Sequence, residues 1–215
     1  MEYIHTIQTK SELSSLEDKF AGVLSRAFFN DPYYLWIMPD ERKRMDQLIW
    51  WMKILLRYTR VYGSIHYTDD EKGIAMWVGP EKPVIDSIKI FSMGLILYPL
   101  KIGFRNFKRL LDISDQWEKE HKKLDKRHSY LMVIGVEPEF QGKGIGSRMM
   151  EFGLQPADDG NLMCYLETVT EEDVRFYRKH GFDVMYNNTF GINEQYWLMT
   201  RMPVEQHMKR NGPHG

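Results

Sequence analysis

Val136-Glu137-Pro138-Glu139-Phe140-Gln141-Gly142-Lys143-Gly144-Ile145-Gly146-Ser147 is the stretch on which the reading of this chain turns. A β-rich run, Ser129–Val136, leads into it. Ile145, Met149 and Phe152 follow at i, i+4, i+7, the spacing of a helix from about Gly144 to Phe152 anchored to a core by those three side chains. Glycines at positions 142, 144 and 146 leave the main chain bare, so successive N–H groups can close on an anion. The positive end of the following helix adds to that attraction, and a pyrophosphate is a natural guest. Two other phosphate loops are excluded. Gly144 follows Lys143 where a Walker loop needs serine or threonine, and Ser147 stands where a dinucleotide fingerprint needs glycine or alanine.

Downstream, Leu162–Val169 reads as a strand and Glu171–His180 as a helix. Thr170 can cap that helix, Glu171, Glu172 and Asp173 place anions at its start, and Gly181 stops it. Strands near 182–190 and 195–202 complete the chain. Upstream, residues 2–8 read as a strand. Ser14 with Glu17 forms a capping box for a helix carrying Phe20, Val23, Leu24, Ala27 and Phe28, which Asn30-Asp31-Pro32 ends. Asp40 caps a second helix reaching Tyr62. Ser64–Thr68 and Gly73–Val78 read as a hairpin around a polar turn. Residues 84–126 read as one or two helices, apolar first and densely charged later. The element order implies an α/β sheet that is partly antiparallel. One domain is expected over 1–205, with a helical insertion at 80–127 and a frayed tail at 206–215.

Composition narrows the partners. The chain has 215 residues, long enough to bury roughly 70% of its unfolded surface. Its formal net charge of −1 gives no reason to expect nucleic acid or an anionic membrane. The one cysteine, Cys164, lies in an apolar run and reads as a buried, inert thiol, so neither a disulfide nor a thiolate metal site is expected. The histidines lack metal-ligand spacing, and no metal is expected. No basic segment followed by an apolar stretch opens the chain, which makes a cytoplasmic protein the expectation. The apolar residues of the insertion read as helical packing on the domain. They leave open a lid over a pocket or the surface of a homodimer.

Gln141-x-x-Gly144-x-Gly146 resembles the Gln/Arg-x-x-Gly-x-Gly/Ala signature of the GNAT superfamily of acyl-CoA-dependent N-acyltransferases. Asp173 through Phe182, with Phe176-Tyr177 and Gly181-Phe182, is similar to that superfamily's second signature. Ala27-Phe28 through Asp31-Pro32 and Gly73–Trp77 look like its N-terminal half. The resemblance implies a mixed, partly antiparallel GNAT sheet flanked by helices, with the insertion just before the cofactor-binding strand. It implies acetyl-CoA as cosubstrate and an amine of a small molecule or peptide as acceptor, joined in a ternary complex. By the same resemblance, Ile134, Gly135 and Val136 hold the pantetheine arm and the thioester. Gln141, Gly142, Lys143, Gly144, Ile145, Gly146 and Ser147 clasp the diphosphate, and Tyr177 protonates the leaving thiolate. Some members carry a glutamate eleven residues before the signature Gln/Arg. Tyr130 stands there, so the candidate base is Glu167, whose alternation with Leu166 fits a surface carboxylate as well as a pocket base. His128 and a water chain are further options. Asp173 replaces the usual asparagine and loses two donors. A GNAT-fold protein that binds CoA without turnover, and an interaction protein that dimerises through the insertion, remain alternatives.

Overall fold

The computed structural model describes residues 3–81, 87–124 and 126–203. Among the described residues seven strands form one sheet: β1 (Ile4–Thr6), β2 (Gly63–Thr68), β3 (Gly73–Val78), β4 (His128–Val136), β5 (Met163–Thr168), β6 (Asp183–Phe190) and β7 (Glu194–Arg201). Their spatial order is β1-β2-β3-β4-β5-β7-β6. Every neighbouring pair is antiparallel except β4–β5. The fold is therefore the expected mixed α/β sheet with helices on both faces.

β3 lies mid-sheet and is buried along its whole length, so its apolar residues divide by strand alternation. Ile74, Met76 and Val78 face one core, with α1 (Lys10–Ala27), α2 (Pro32–Ile37) and α3 (Glu41–Tyr62). Ala75 and Trp77 face the other, with α7 (Ile145–Asp159) and α8 (Glu171–Lys179). Between β3 and β4 run α4 (Ser87–Ser92), a 3₁₀ turn, α5 (Tyr98–Ile102) and α6 (Phe104–His121). Ile90, Leu95, Tyr98, Ile102, Leu110 and Ile113 pack from this segment into the first core, while Ile96, Leu100 and Phe104 are exposed. The expected tail, and Val84 and Ile85 of the insertion, lie outside the described residues.

Some boundaries differ from expectation. The capping box of α1 is Thr9 with Glu12, not Ser14 with Glu17: Thr9 Oγ1 accepts from Glu12 N at 3.1 Å, and Gln8 N donates to Glu12 Oε2 at 2.8 Å. Glu17 instead holds Arg57 of α3 through two hydrogen bonds. α7 runs past Phe152 and through Pro156 to Asp159. Phe152 is not one of its anchors. It is 36% exposed and meets the His66 ring edge-on, while Met149, Met150 and Leu154 are buried. Cys164 is buried as expected, and burial pushes its thiol up to about 12. Among the described residues no helix is long and apolar enough to cross a membrane.

Gly63, where α3 passes into β2, has no room for a side chain, because a methyl group would overlap the Trp77 carbonyl of the neighbouring strand. Gly63→Ala is expected to cost about 2–3 kcal/mol, as overpacking against main chain does, read as a fall in the urea midpoint at unchanged slope.

Candidate active site

The site opens where β4 and β5 part. They pair from His128–Met163 to Tyr130–Tyr165, after which β4 continues to Val136 and β5 to Thr168 with no rungs between them. A β-bulge helps turn β4 away: Met76 of β3 pairs with Val133 and Trp77 with Leu131, so Met132 is the extra residue. The main chain of Ile134–Val136 thus has one edge on β3 and the other on a cleft of about 930 Å³. Such an edge offers hydrogen-bonding groups to an extended ligand.

At the end of β4, Glu137 accepts from Arg26 Nε at 2.6 Å and Nη2 at 2.7 Å, which ties the strand to α1 and holds its carboxyl below the usual range. Gly142 and Gly144 have φ of +74° and +80°, the left-handed region that favours glycine. Gly144 caps α7 and contributes no side-chain hydrogen bond to its first turn. The N–H groups of that turn remain available to an anion. Gln141 turns its amide back to donate to Val136 O at 3.0 Å. Ile134, Gly135, Val136, Gln141, Gly142, Gly144, Ile145, Gly146 and Ser147 all border the cleft. Lys143 does not. Its ammonium lies 4.6 Å from the centre of the Phe140 ring. Gly135 also has a packing reason: its missing Cβ would stand 2.8 Å from Leu24 of α1. Arg175 and Lys179, one turn apart on α8, border the cleft as well. They were not singled out from sequence, though the i, i+4 spacing of two cations was visible.

α8 forms the opposite wall. Thr170 caps it by accepting from Asp173 N at 3.1 Å and donating to Asp173 Oδ2 at 2.6 Å, while Thr168 donates to the same oxygen at 3.2 Å. Asp173, where the resemblance leads one to expect asparagine, is thereby tied to the cap of its own helix and to the end of β5. Tyr177 is buried beside Val174 and Phe182 and borders the cleft. Burial, with the negative charges of Asp173 and Asp31 behind it, raises the Tyr177 phenol well above its ordinary value.

Glu167 sits at the fork of the two strands, half-buried rather than on the surface. Burial pushes its carboxyl up to about 7, against the pull of the Tyr130 and Tyr165 hydroxyls. Asp31 is a second carboxyl at the cleft. Burial also raises it to about 7, although the Tyr34 and Tyr33 N–H groups favour its charged form. From sequence it was only a helix breaker, but Asp immediately before Pro32 is the signature of the α2 N-cap. His128 is occupied. Its Nδ1 is 2.7 Å from the Lys126 carbonyl, which makes that nitrogen the donor, and its Nε2 is 2.7 Å from His121 Nε2. Burial lowers both histidines, His121 to about 3 with His128 contributing.

Beyond Glu167 the cleft continues into a narrower pocket of about 170 Å³ between β4, α2, α3 and the insertion. Tyr33, Tyr130, Met132, Val133 and Glu167 border both spaces.

Comparison with known proteins agrees with this geometry. Residues 109–184 match the model of the acetyltransferase (GNAT) domain. An uncharacterized N-acetyltransferase of Schizosaccharomyces pombe is 26% identical over 171 residues, covering 76% of this chain and 69% of that protein. The spermidine N(1)-acetyltransferase of Escherichia coli is 32% identical over 87 residues, 38% of this chain and 46% of that enzyme. Among solved structures, a histone acetyltransferase HPA2-related acetyltransferase from Corynebacterium glutamicum superposes with a TM-score of 0.66 at 18% identity, over 94% of this chain and 97% of that one, a likeness of fold. The sheet and the two signatures agree with the acetyltransferase (GNAT) domain that residues 109–184 match.

Proposed function

We propose that this chain moves the acetyl group of acetyl-CoA directly to an amine, with residues 1–205 acting as one domain and the 80–127 insertion walling the acceptor side. The observation that carries the reading is the parting of β4 from β5. It sets an unpaired strand edge, a helix N-terminus whose glycine cap brings no side chain, and an ionisable carboxyl along one cleft.

In this reading Gly142, Gly144, Ile145, Gly146 and Ser147 take the diphosphate on main-chain N–H groups, with Arg175 and Lys179 adding positive charge. The Ile134–Val136 edge aligns the thioester and its N–H groups polarise the carbonyl. The acceptor arrives as an ammonium ion and gives its extra proton to Glu167. The amine lone pair then forms the C–N bond, the C–S bond breaks as Tyr177 protonates the departing thiolate, and the second proton lost from the new amide nitrogen restores the Tyr177 phenol. A CoA-binding protein without turnover is the second reading, favoured by Tyr130 at a position where some relatives carry a carboxylate. Thiol release from acetyl-CoA with a panel of amines separates the two, because only the enzyme frees CoA. Binding without release from any amine overturns the transfer reading.

Gly146 tests the diphosphate site separately. A Cβ there meets only Phe176, at 3.6 Å, and Val136, at 4.0 Å, so a side chain fits the fold but intrudes on the cleft. Gly146→Val is expected to weaken acetyl-CoA binding at least about tenfold by calorimetry, roughly 1.4 kcal/mol, with the thermal midpoint nearly unmoved.

A further inference from the structure

We infer that the acceptor is a monoamine bearing one compact apolar body, about the size of a single six-membered ring, rather than a polyamine or a lysine side chain of a peptide. This rests on the transfer reading above and names the substrate class of the same site.

The pocket behind Glu167 carries the argument. Its volume of about 170 Å³ is close to that of an apolar cavity, roughly 150 Å³, that holds benzene. Trp51, Leu55, Leu95 and Leu110 make its inner wall, and all four are buried. Glu167 and Tyr130 stand where it joins the cleft, so an amine bound there has its nitrogen at the carboxyl and its body among apolar side chains. Only one other carboxylate borders the pocket among the described residues. That is Glu118 on α6, already paired with Lys122 at 2.5 Å. A second ammonium three or four carbons from the first would lie beside the leucines with no anion of its own, at a desolvation cost of several kcal/mol. A peptide would have to bring polar main chain toward the same wall. Trp117 Nε1 is buried at the pocket without a hydrogen-bond partner among the described residues. It suits a ring face or a single oxygen on the acceptor body.

The test is a comparison of 2-phenylethylamine, spermidine and an N-terminally blocked lysine peptide as acceptors for the full chain at saturating acetyl-CoA, by thiol release. The expected result is a kcat/KM for 2-phenylethylamine at least about tenfold above both others. Equal or better use of spermidine or the peptide overturns the inference and leaves the transfer reading standing. If no amine releases thiol, the transfer reading fails, and titration of 2-phenylethylamine against tryptophan fluorescence decides the pocket alone. Saturable quenching that Ser114→Phe, a side chain added from the pocket wall, abolishes supports the inference. Absent quenching, or quenching unchanged in that variant, overturns it.

Discussion

Tyr177→Phe is expected to lower kcat about 100-fold while acetyl-CoA affinity stays within a factor of two or three, the split that loss of a general acid produces. The ring is what packs: it lies edge-on to Phe176 and Phe182, and phenylalanine keeps that surface. What disappears is a hydroxyl on the wall of the cleft. A thiolate leaving beside the Tyr177 hydroxyl meets the charges of Asp173 and Asp31, which also hold the Tyr177 proton tightly. Both groups therefore rise in proton affinity together, and transfer from phenol to thiolate stays feasible although the phenol alone is a weaker acid than in water. The proton also remains on Tyr177 across the working pH range, so the residue adds no limb of its own below alkaline pH. Steady-state kinetics with acetyl-CoA varied at saturating amine measures the split. An unchanged kcat removes Tyr177 from the chemistry, and a large rise in acetyl-CoA KM reassigns it to binding.

Local rules made most elements legible. Asp40 and Gly63 bracket α3 as read, and the hairpin, the glycine loop and the capped α8 follow from turn and cap chemistry. The misses are places where two local patterns compete or where tertiary packing decides. Thr9-x-x-Glu12 and Ser14-x-x-Glu17 are both capping boxes, and helical periodicity is silent between them. The earlier one wins because it joins directly onto the end of β1, leaving Glu17 to reach Arg57. The helix that reads to about Phe152 continues through Pro156 to Asp159, because the missing proline N–H falls in a last turn held by Leu154 and Ala157 in the core. Gly135 belongs by resemblance to the pantetheine-holding strand, and its tightest neighbour is Leu24, a contact 111 residues away in sequence. The parting of β4 from β5 left no local signal either. It depends on a bulge at Met132 that no turn residue announces. Asp31 and Glu167 reach one cleft only through that topology, so their raised proton affinities could not be read from their neighbours in the chain.

Glu167→Gln is expected to lower kcat/KM for the amine about 100-fold or more above pH 7, and to remove the acid limb of the pH profile. A base must be ionised to act. With its carboxyl raised to about 7, wild-type activity should climb tenfold per pH unit below that value and level off above it, which glutamine cannot reproduce. Asp31 has nearly the same proton affinity, so the shape of the profile alone does not choose between them. Asp31→Asn provides the comparison. Asparagine caps a helix as well as aspartate does, so α2 survives while the charge is lost. Loss of the limb in Glu167→Gln with its retention in Asp31→Asn assigns the base to Glu167, and the reverse pattern moves it to Asp31. Stability supplies a readout free of turnover. A carboxyl whose proton affinity is raised by folding stabilises the protein fully below its unfolded value near 4.5, and that contribution is lost as pH rises through about 7. The thermal midpoint of the wild type, taken relative to Glu167→Gln at each pH, should therefore fall between pH 5 and pH 8. A constant difference would mean that Glu167 titrates as an ordinary solvated carboxylate, and with that its standing as a poised base is gone.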